Sequence, residues 1–464
     1  MLQKSTASRR EFIQGLALGG VAAALAACTP APTPTAAAAQ PTQGRTAAAA
    51  QPTQGRTAVA ATPAPKGKVE VSLWQHAHPP LNKTYETLIA EYQQANPNTT
   101  VRFDSVAAAE FEQKLLTAMA AETGPDIFRM PTWSTMLYVT KGIVKPLDPQ
   151  AFGKGSHKEL MDEYDPPSSV NGWVMAGKLY AIPIEISVMC TWYRLDVLQS
   201  EMGLDKSKLP KTWTELWDLA RRLTKKDASG NITRIGFSWT WNAVWGMHHY
   251  SPLLWQQGGE ILSEDGKTCV LDSPAAIKAL DIFAEPYRQG GANKDFSVPQ
   301  AFENAKLCTY CSGPFAPASV ITVNPQLKYG EHFIESRLMQ TEGGTPAGYT
   351  WGPASLALNP KTKSLNEAYS VMRFIWDRPE AFWEIANIMV TRKKFKETDA
   401  YKKSPWLPTF IAEAQIARPA VQSVVYEEIK TAVYQMLQRA VFDGMSSKES
   451  VKLAAADITK ALAR

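Results

Sequence analysis

A chain of 464 residues with 45% apolar and 20% charged side chains has the balance of a folded globular protein, which excludes a wholly disordered or fibrous one. Its 49 Lys and Arg stand against 44 Asp and Glu, for a net charge of +5 spread along the sequence, and this excludes the concentrated basic face that nucleic acid requires. Five cysteines in such a length exclude a disulfide-built scaffold.

The first 28 residues set the destination. A basic start (Lys4, Arg9, Arg10) precedes an Ala- and Gly-rich apolar run over 12–27 that leads into Cys28. A spanning helix needs about 20 strongly apolar residues, so residues 1–27 read as an export signal. "SRREFI" resembles a twin-arginine signal, and "LAAC" resembles the lipobox of bacterial lipoproteins. The resemblance implies that Cys28 is acylated as the mature N-terminus. The body is then extracytoplasmic, in the periplasm or on the outer cell surface, and anchored to a membrane by lipid. Over 28–66, "AAAAQPTQGRT" occurs twice, at 36–46 and 47–57, within an Ala, Pro, Thr and Gln tract. Almost without large apolar side chains, this tract cannot offset the entropy of ordering and reads as a disordered leash.

The remaining length predicts two lobes. "KVEVSLW" alternates Val69, Val71 and Leu73 with polar residues, as a strand does. "KTYETLIAEYQQANP" places Tyr85, Leu88, Ile89 and Tyr92 on one helical face, stopped by Asn96-Pro97. "TTVRFDSV" reads as a second strand, Phe111, Leu115, Ala118 and Met119 as the stripe of a second helix, and "DIFRM" as a third strand. This alternation predicts an α/β lobe with a mostly parallel sheet. "KLYAIPIEISVMCTWY" is strand-like and a candidate crossing between lobes. In "LPKTWTELWDLARRLTKK", Thr212 and Glu215 fit a capping box before a buried stripe of Leu216, Leu219, Ala220 and Leu223. "TRIGFSW" reads as a strand, Ser273-Pro274 opens a helix that Pro286 kinks or ends, and the last 90 residues read as helical.

In this order the segments resemble the extracellular solute-binding proteins, family 1, of ABC importers, the group containing maltose-binding protein. The resemblance is carried by "LIAEYQQANPNTTVRF", "KLLTAMAAETGPDIF", "GKLYAIP", "WYRLDVL", "LPKTWTELWDLARRLT", "WQQGGEIL", "SGPF" and "NPKTKSLNEAYSVMRFI". There are departures. Tyr193-Arg194 stands where the family often has "YN", "NAKLCTY" where it has "GKAAM", and Gly313-Pro314-Phe315 where maltose-binding protein has "GPW". The resemblance implies a type II, maltose-binding-protein-like fold of two α/β lobes around a central ligand cleft. By it, residues 67–185 and 345–379 form the first lobe, and 186–344 and 380–464 the second. It also implies a monomer that delivers a carbohydrate, an oligosaccharide, to ABC permease subunits, without cofactor and without catalysis.

Fourteen tryptophans suit that reading, because sugars offer flat C–H faces to aromatic rings and a rim of hydroxyls to polar groups. The expected cleft residues are Trp74, His76, Trp133, Glu185, Trp239, Trp241, Trp255, Phe315, Tyr349 and Trp351, with Gln256 a further polar candidate. Cys190, Cys269, Cys308 and Cys311 read as disulfides or quiet thiols. "CTYC" has zinc-knuckle spacing but no second pair, and His248-His249 has no i, i+4 partner, so no metal site is read. G-x-S-x-G, HExxH, P-loop and GxGxxG motifs are all absent. A sugar-cleaving carboxylate pair and a ligand-presenting receptor for a sensor kinase remain as alternatives.

Overall fold

The strand Val69–His76 buries Val71, Leu73 and Gln75 on one face and organises the first lobe. In the computed structural model, which describes residues 68–464 except Ser297, it lies parallel to Thr99–Val106 on one side and to Ile127–Phe128 on the other. The segments expected to be signal, lipidation site and leash lie outside the described residues. Ser355–Leu358 then inserts antiparallel between Ile127–Phe128 and Ala181–Pro183, so this five-stranded sheet is mixed. The helix Pro79–Ala95 covers it with Leu81, Tyr85, Leu88, Ile89 and Tyr92, the stripe read from the sequence plus one turn.

The second sheet runs in the order Ile334–Arg337, Cys190–Tyr193, Leu307–Ser312, Ile232–Ser238, Lys225–Lys226. Its helix Trp213–Leu223 starts at a formed capping box, Thr212 Oγ1 accepting from Glu215 N and Glu215 Oε2 accepting from Thr212 N at 3.0 Å. Gly236 lies directly beneath this helix, and a Cβ there would collide with the Ala220 carbonyl. Pro286 neither ends nor removes its helix, which runs from Pro274 to Arg288 with the proline inside. Cys190, Cys308 and Cys311 are buried free thiols in this sheet, and burial raises Cys308 and Cys311 to about 12. At that value they remain protonated and unreactive at neutral pH.

The strand-like run of the sequence resolves into Ala181–Pro183, Ser187–Val188 and Cys190–Tyr193. The middle piece belongs to neither large sheet. It joins Gly348–Trp351 and Ala417–Arg418 in a three-stranded ladder. The expected departure from the first lobe at Pro379 is corrected. Pro379 opens the helix Pro379–Ala386, whose Phe382 packs on Tyr85 at 5.6 Å. A proline at the first helical position starts a helix as readily as it marks a boundary. The change of core comes later, after Ala417 in the first core and before Ala420 and Tyr426 in the second.

Gln256 is corrected as well. Its side chain is buried, with Oε1 accepting from Trp213 Nε1 at 2.8 Å and Nε2 donating to the Met339 and Ala347 carbonyls at 3.0 and 2.9 Å. A saturated amide of this kind ties loops together and has nothing left for a ligand.

Candidate functional site

Three strands of the first sheet run in one direction: Val69–His76 beside Ile127–Phe128, and Ala181–Pro183 beyond the antiparallel Ser355–Leu358. Their carboxyl ends carry His76, Arg129 and Glu185 respectively. Open α/β sheets present ligands off such ends, where backbone geometry fans the side chains outward. Facing them, the carboxyl end of Leu307–Ser312 leads through Gly313 to Phe315. A cavity of about 580 Å³ lies between, walled by His76, His78, Glu185 and Pro353 on one side and by Phe315, Ser319 and Thr322 on the other.

Burial sets the electrostatics of this floor. It lowers His76 to about 3, with Arg129 and His78 adding to the effect, so the imidazole is neutral. It raises Glu185 to about 7, against the pull of the Ser187 hydroxyl, which donates to Oε1 at 3.0 Å, and of Arg129. It lowers Arg129 to about 10 despite the nearby Tyr138, Glu112 and Glu185. The Arg129 Nε donates to the Pro353 carbonyl, and the guanidinium sits 5.3 Å from the Phe111 ring and 5.9 Å from the Trp133 ring.

Aromatic faces meet from both lobes. Trp133 lies 6.4 Å from Tyr426, the rings inclined by 22°. Beside them Gln422 Nε2 donates to the Thr132 carbonyl at 2.9 Å. Trp351 stacks on His248 at 4.9 Å and approaches Trp245 at 5.8 Å. The bare Gly313 admits two rings, since a Cβ there would lie 2.6 Å from Phe315 and 3.2 Å from Trp351.

Of the residues expected in the cleft, His76, Glu185 and Phe315 line one cavity, Trp351 approaches Phe315 across Gly313, and Trp133 lies against Tyr426 and the Arg129 guanidinium. The others are placed differently. Trp74 turns to Asp104, donating from Nε1 at 2.8 Å, with Lys114 Nζ 5.1 Å over its ring. Trp239 follows a strand's carboxyl end but is core, 2% exposed, stacked at 4.9 Å on Phe283 and donating to the Phe283 carbonyl. Three helices turn apolar faces toward that point, and the ring fills the space between them. Trp241 bonds Tyr287 Oη at 2.8 Å and packs 4.4 Å from Phe442, also away from the cavity. Tyr349 is fully buried, stacked on Trp255 at 5.7 Å. Trp255 borders a separate depression of about 450 Å³ with Met136, Leu262 and Gln422. His248 and His249 are buried, and among the described residues no group of three or more potential metal ligands forms.

Arg129, Glu112 and Tyr426 were not singled out from the sequence. "DIFRM" shows a strand, and only the position of Arg129 just past its buried pair marks it as a strand-end group. Tyr426 opens the helix Tyr426–Val441 and looks like one more apolar position.

Residues 78–375 match the model of the family described as bacterial extracellular solute-binding protein. A Brucella abortus protein, named only as a binding protein, is 25% identical over 379 residues, 79% of this chain and 86% of its own. The diacetylchitobiose binding protein DasA of Streptomyces coelicolor is 23% identical over 322 residues, 66% of this chain and 69% of its own. Among solved structures, the sugar-binding protein MalE of Xanthomonas citri superposes with a TM-score of 0.74 at 18% identity, covering 85% of this chain and 98% of that one. Its fold is the two-lobed one expected.

The raised Glu185 carboxyl gives a prediction of definite sign. A carboxyl at about 7 in the folded state and 4.5 in the unfolded one binds an extra proton when folded, so it weakens the fold as pH rises between those values. Glu185→Gln should therefore add about 3 kcal/mol at pH 8 and almost nothing at pH 4.5, read by urea denaturation. An equal effect at both pH values would contradict the assigned burial.

Proposed function

From its membership of the bacterial extracellular solute-binding proteins, to which this chain belongs, we propose that it captures a carbohydrate, an oligosaccharide, between its lobes and delivers it to the permease of an ABC importer. Members of this family are binding proteins that work outside the cytoplasm, and we propose that this one releases its ligand chemically unchanged. The observation that carries the proposal is a cavity of about 580 Å³ lined by His76 and Glu185 from the first lobe and by the Phe315 ring from the second. Rings suit the C–H faces of a sugar, and the polar floor suits its hydroxyls. DasA and the Xanthomonas MalE, a binder of diacetylchitobiose and a sugar-binding protein, support the ligand class.

Capture by this route is a population shift. A ligand that touches both lobes favours the arrangement in which they meet, by its differential affinity for that arrangement alone. The loaded monomer then meets the permease, with ATP hydrolysis elsewhere in the importer. Cys28 would carry the lipid after export by the twin-arginine route, and the repeat-containing leash would set the reach and effective concentration of the trap.

Phe315→Ala and His76→Ala should each weaken oligosaccharide binding by about 1–3 kcal/mol while the chain stays folded. Titration calorimetry against an oligosaccharide panel checks this, and unchanged affinity in both variants would remove this cavity from the site. Cys28→Ser should move the protein from the membrane pellet to the soluble fraction. Its retention in the pellet would contradict the lipid anchor.

A further inference from the structure

We propose that the carbohydrate captured here carries an anionic group, a carboxylate or a phosphate, and that Arg129 is the residue that grips it. The inference rests on the proposed function and names the ligand class more narrowly.

The buried arginines of this chain make the case by contrast. Arg194 sends Nε and Nη2 to the Asp196 carboxylate at 2.9 and 2.6 Å and Nη1 to the Phe302 carbonyl at 2.6 Å. Arg392 sends Nη1 to the Trp376 carbonyl at 2.7 Å and Nη2 to Glu163 at 3.3 Å. Arg129 is as buried as these, 8% exposed, yet it spends only Nε, on the Pro353 carbonyl. Among the described residues, neither of its Nη groups meets an acceptor and no carboxylate pairs with it. The two nearby carboxylates are engaged elsewhere: Glu185 takes the Ser187 hydroxyl, and Glu112 takes the Ser134 hydroxyl at 3.4 Å.

A buried cation without a partner is costly, and the cost is recovered when a partner of opposite charge arrives. The Pro353 bond and the flanking Phe111 and Trp133 rings hold the guanidinium in place and leave both Nη groups without a protein acceptor among the described residues. A planar fork of donors matches a carboxylate or a phosphate, whereas sugar hydroxyls satisfy donors but bring no charge. Burial disfavours the ionised form of Glu185, which reaches about 7, and shifts Glu112 in the same direction, so neither neighbour is a strong counter-ion for the guanidinium. The location, at the carboxyl ends of the parallel strands and bordering the cavity walls Pro353 and Glu185, is where a ligand would enter.

The test is calorimetry on the full mature chain with matched probes: a galacturonate disaccharide against its neutral galactose counterpart, glucose 1-phosphate against glucose, and inorganic phosphate. The acidic member of at least one pair should bind about a hundredfold more tightly than its neutral parent. Arg129→Gln should reduce that preference to less than about threefold, and Arg129→Lys, which keeps charge but not the fork, should fall between. The responding pair distinguishes carboxylate from phosphate. The wild-type comparison stands even if a variant fails to fold. Neutral sugars binding as tightly as their acidic counterparts, or a preference that survives Arg129→Gln, would overturn the inference and leave carbohydrate capture intact. Binding of no carbohydrate at all would overturn both.

Discussion

The three-stranded ladder of Ser187–Val188, Gly348–Trp351 and Ala417–Arg418 is the constraint on which the cleft depends. Each strand is two to four residues long and each continues from one large sheet or its helices toward the other. Its bonds are few: Thr350 pairs with Val188 and Trp351 with Ser187, Gly348 with Ala417 and Tyr349 with Arg418, and Thr350 Oγ1 donates to the Ser187 carbonyl at 3.0 Å. At about 1 kcal/mol net for each hydrogen bond, so short a ladder fixes register without stiffening the whole connection. Glu413 reinforces it from below, fully buried and paired with Arg337 at 2.9 Å. A Cβ at Gly348 would collide with that carboxylate, so the glycine is needed for the close approach.

Because the ladder brings strand ends face to face, the two lobes share out different chemistry. The first supplies charge and hydrogen-bonding groups, His76, Arg129 and Glu185, past the ends of three strands that run the same way. The second supplies aromatic surface through Phe315, with Trp351 beside it across Gly313, backed by His248 and Trp245. Either half alone offers a sugar only part of its surface. On the proposed function, complementarity arises when the halves meet, and that would couple recognition to closure.

Much of the architecture is legible in the sequence because it is periodic. The stripe Tyr85, Leu88, Ile89 and Tyr92 predicts the first helix, alternation of Val71 and Leu73 predicts the first strand, and Thr212 with Glu215 predicts a cap. The cleft is less legible, since a loop tryptophan has the same one-letter identity whether its ring faces solvent or core. Trp239 and Trp133 both follow strands, yet the first closes a gap between three helices and the second meets Tyr426. Arg129 and Tyr426 went unnoticed because nothing local sets them apart. Their placement comes from register between distant strands and from the opposite lobe. Pro379 misled for a similar reason, as a helix-starting proline reads the same within a lobe as at its border.

The central claim is that a carbohydrate draws the two halves together. Small-angle X-ray scattering of the mature chain, with and without a sugar shown by calorimetry to bind, tests it most directly. A smaller radius of gyration in the presence of that sugar is the result this mechanism requires. An unchanged radius at saturating sugar would contradict it.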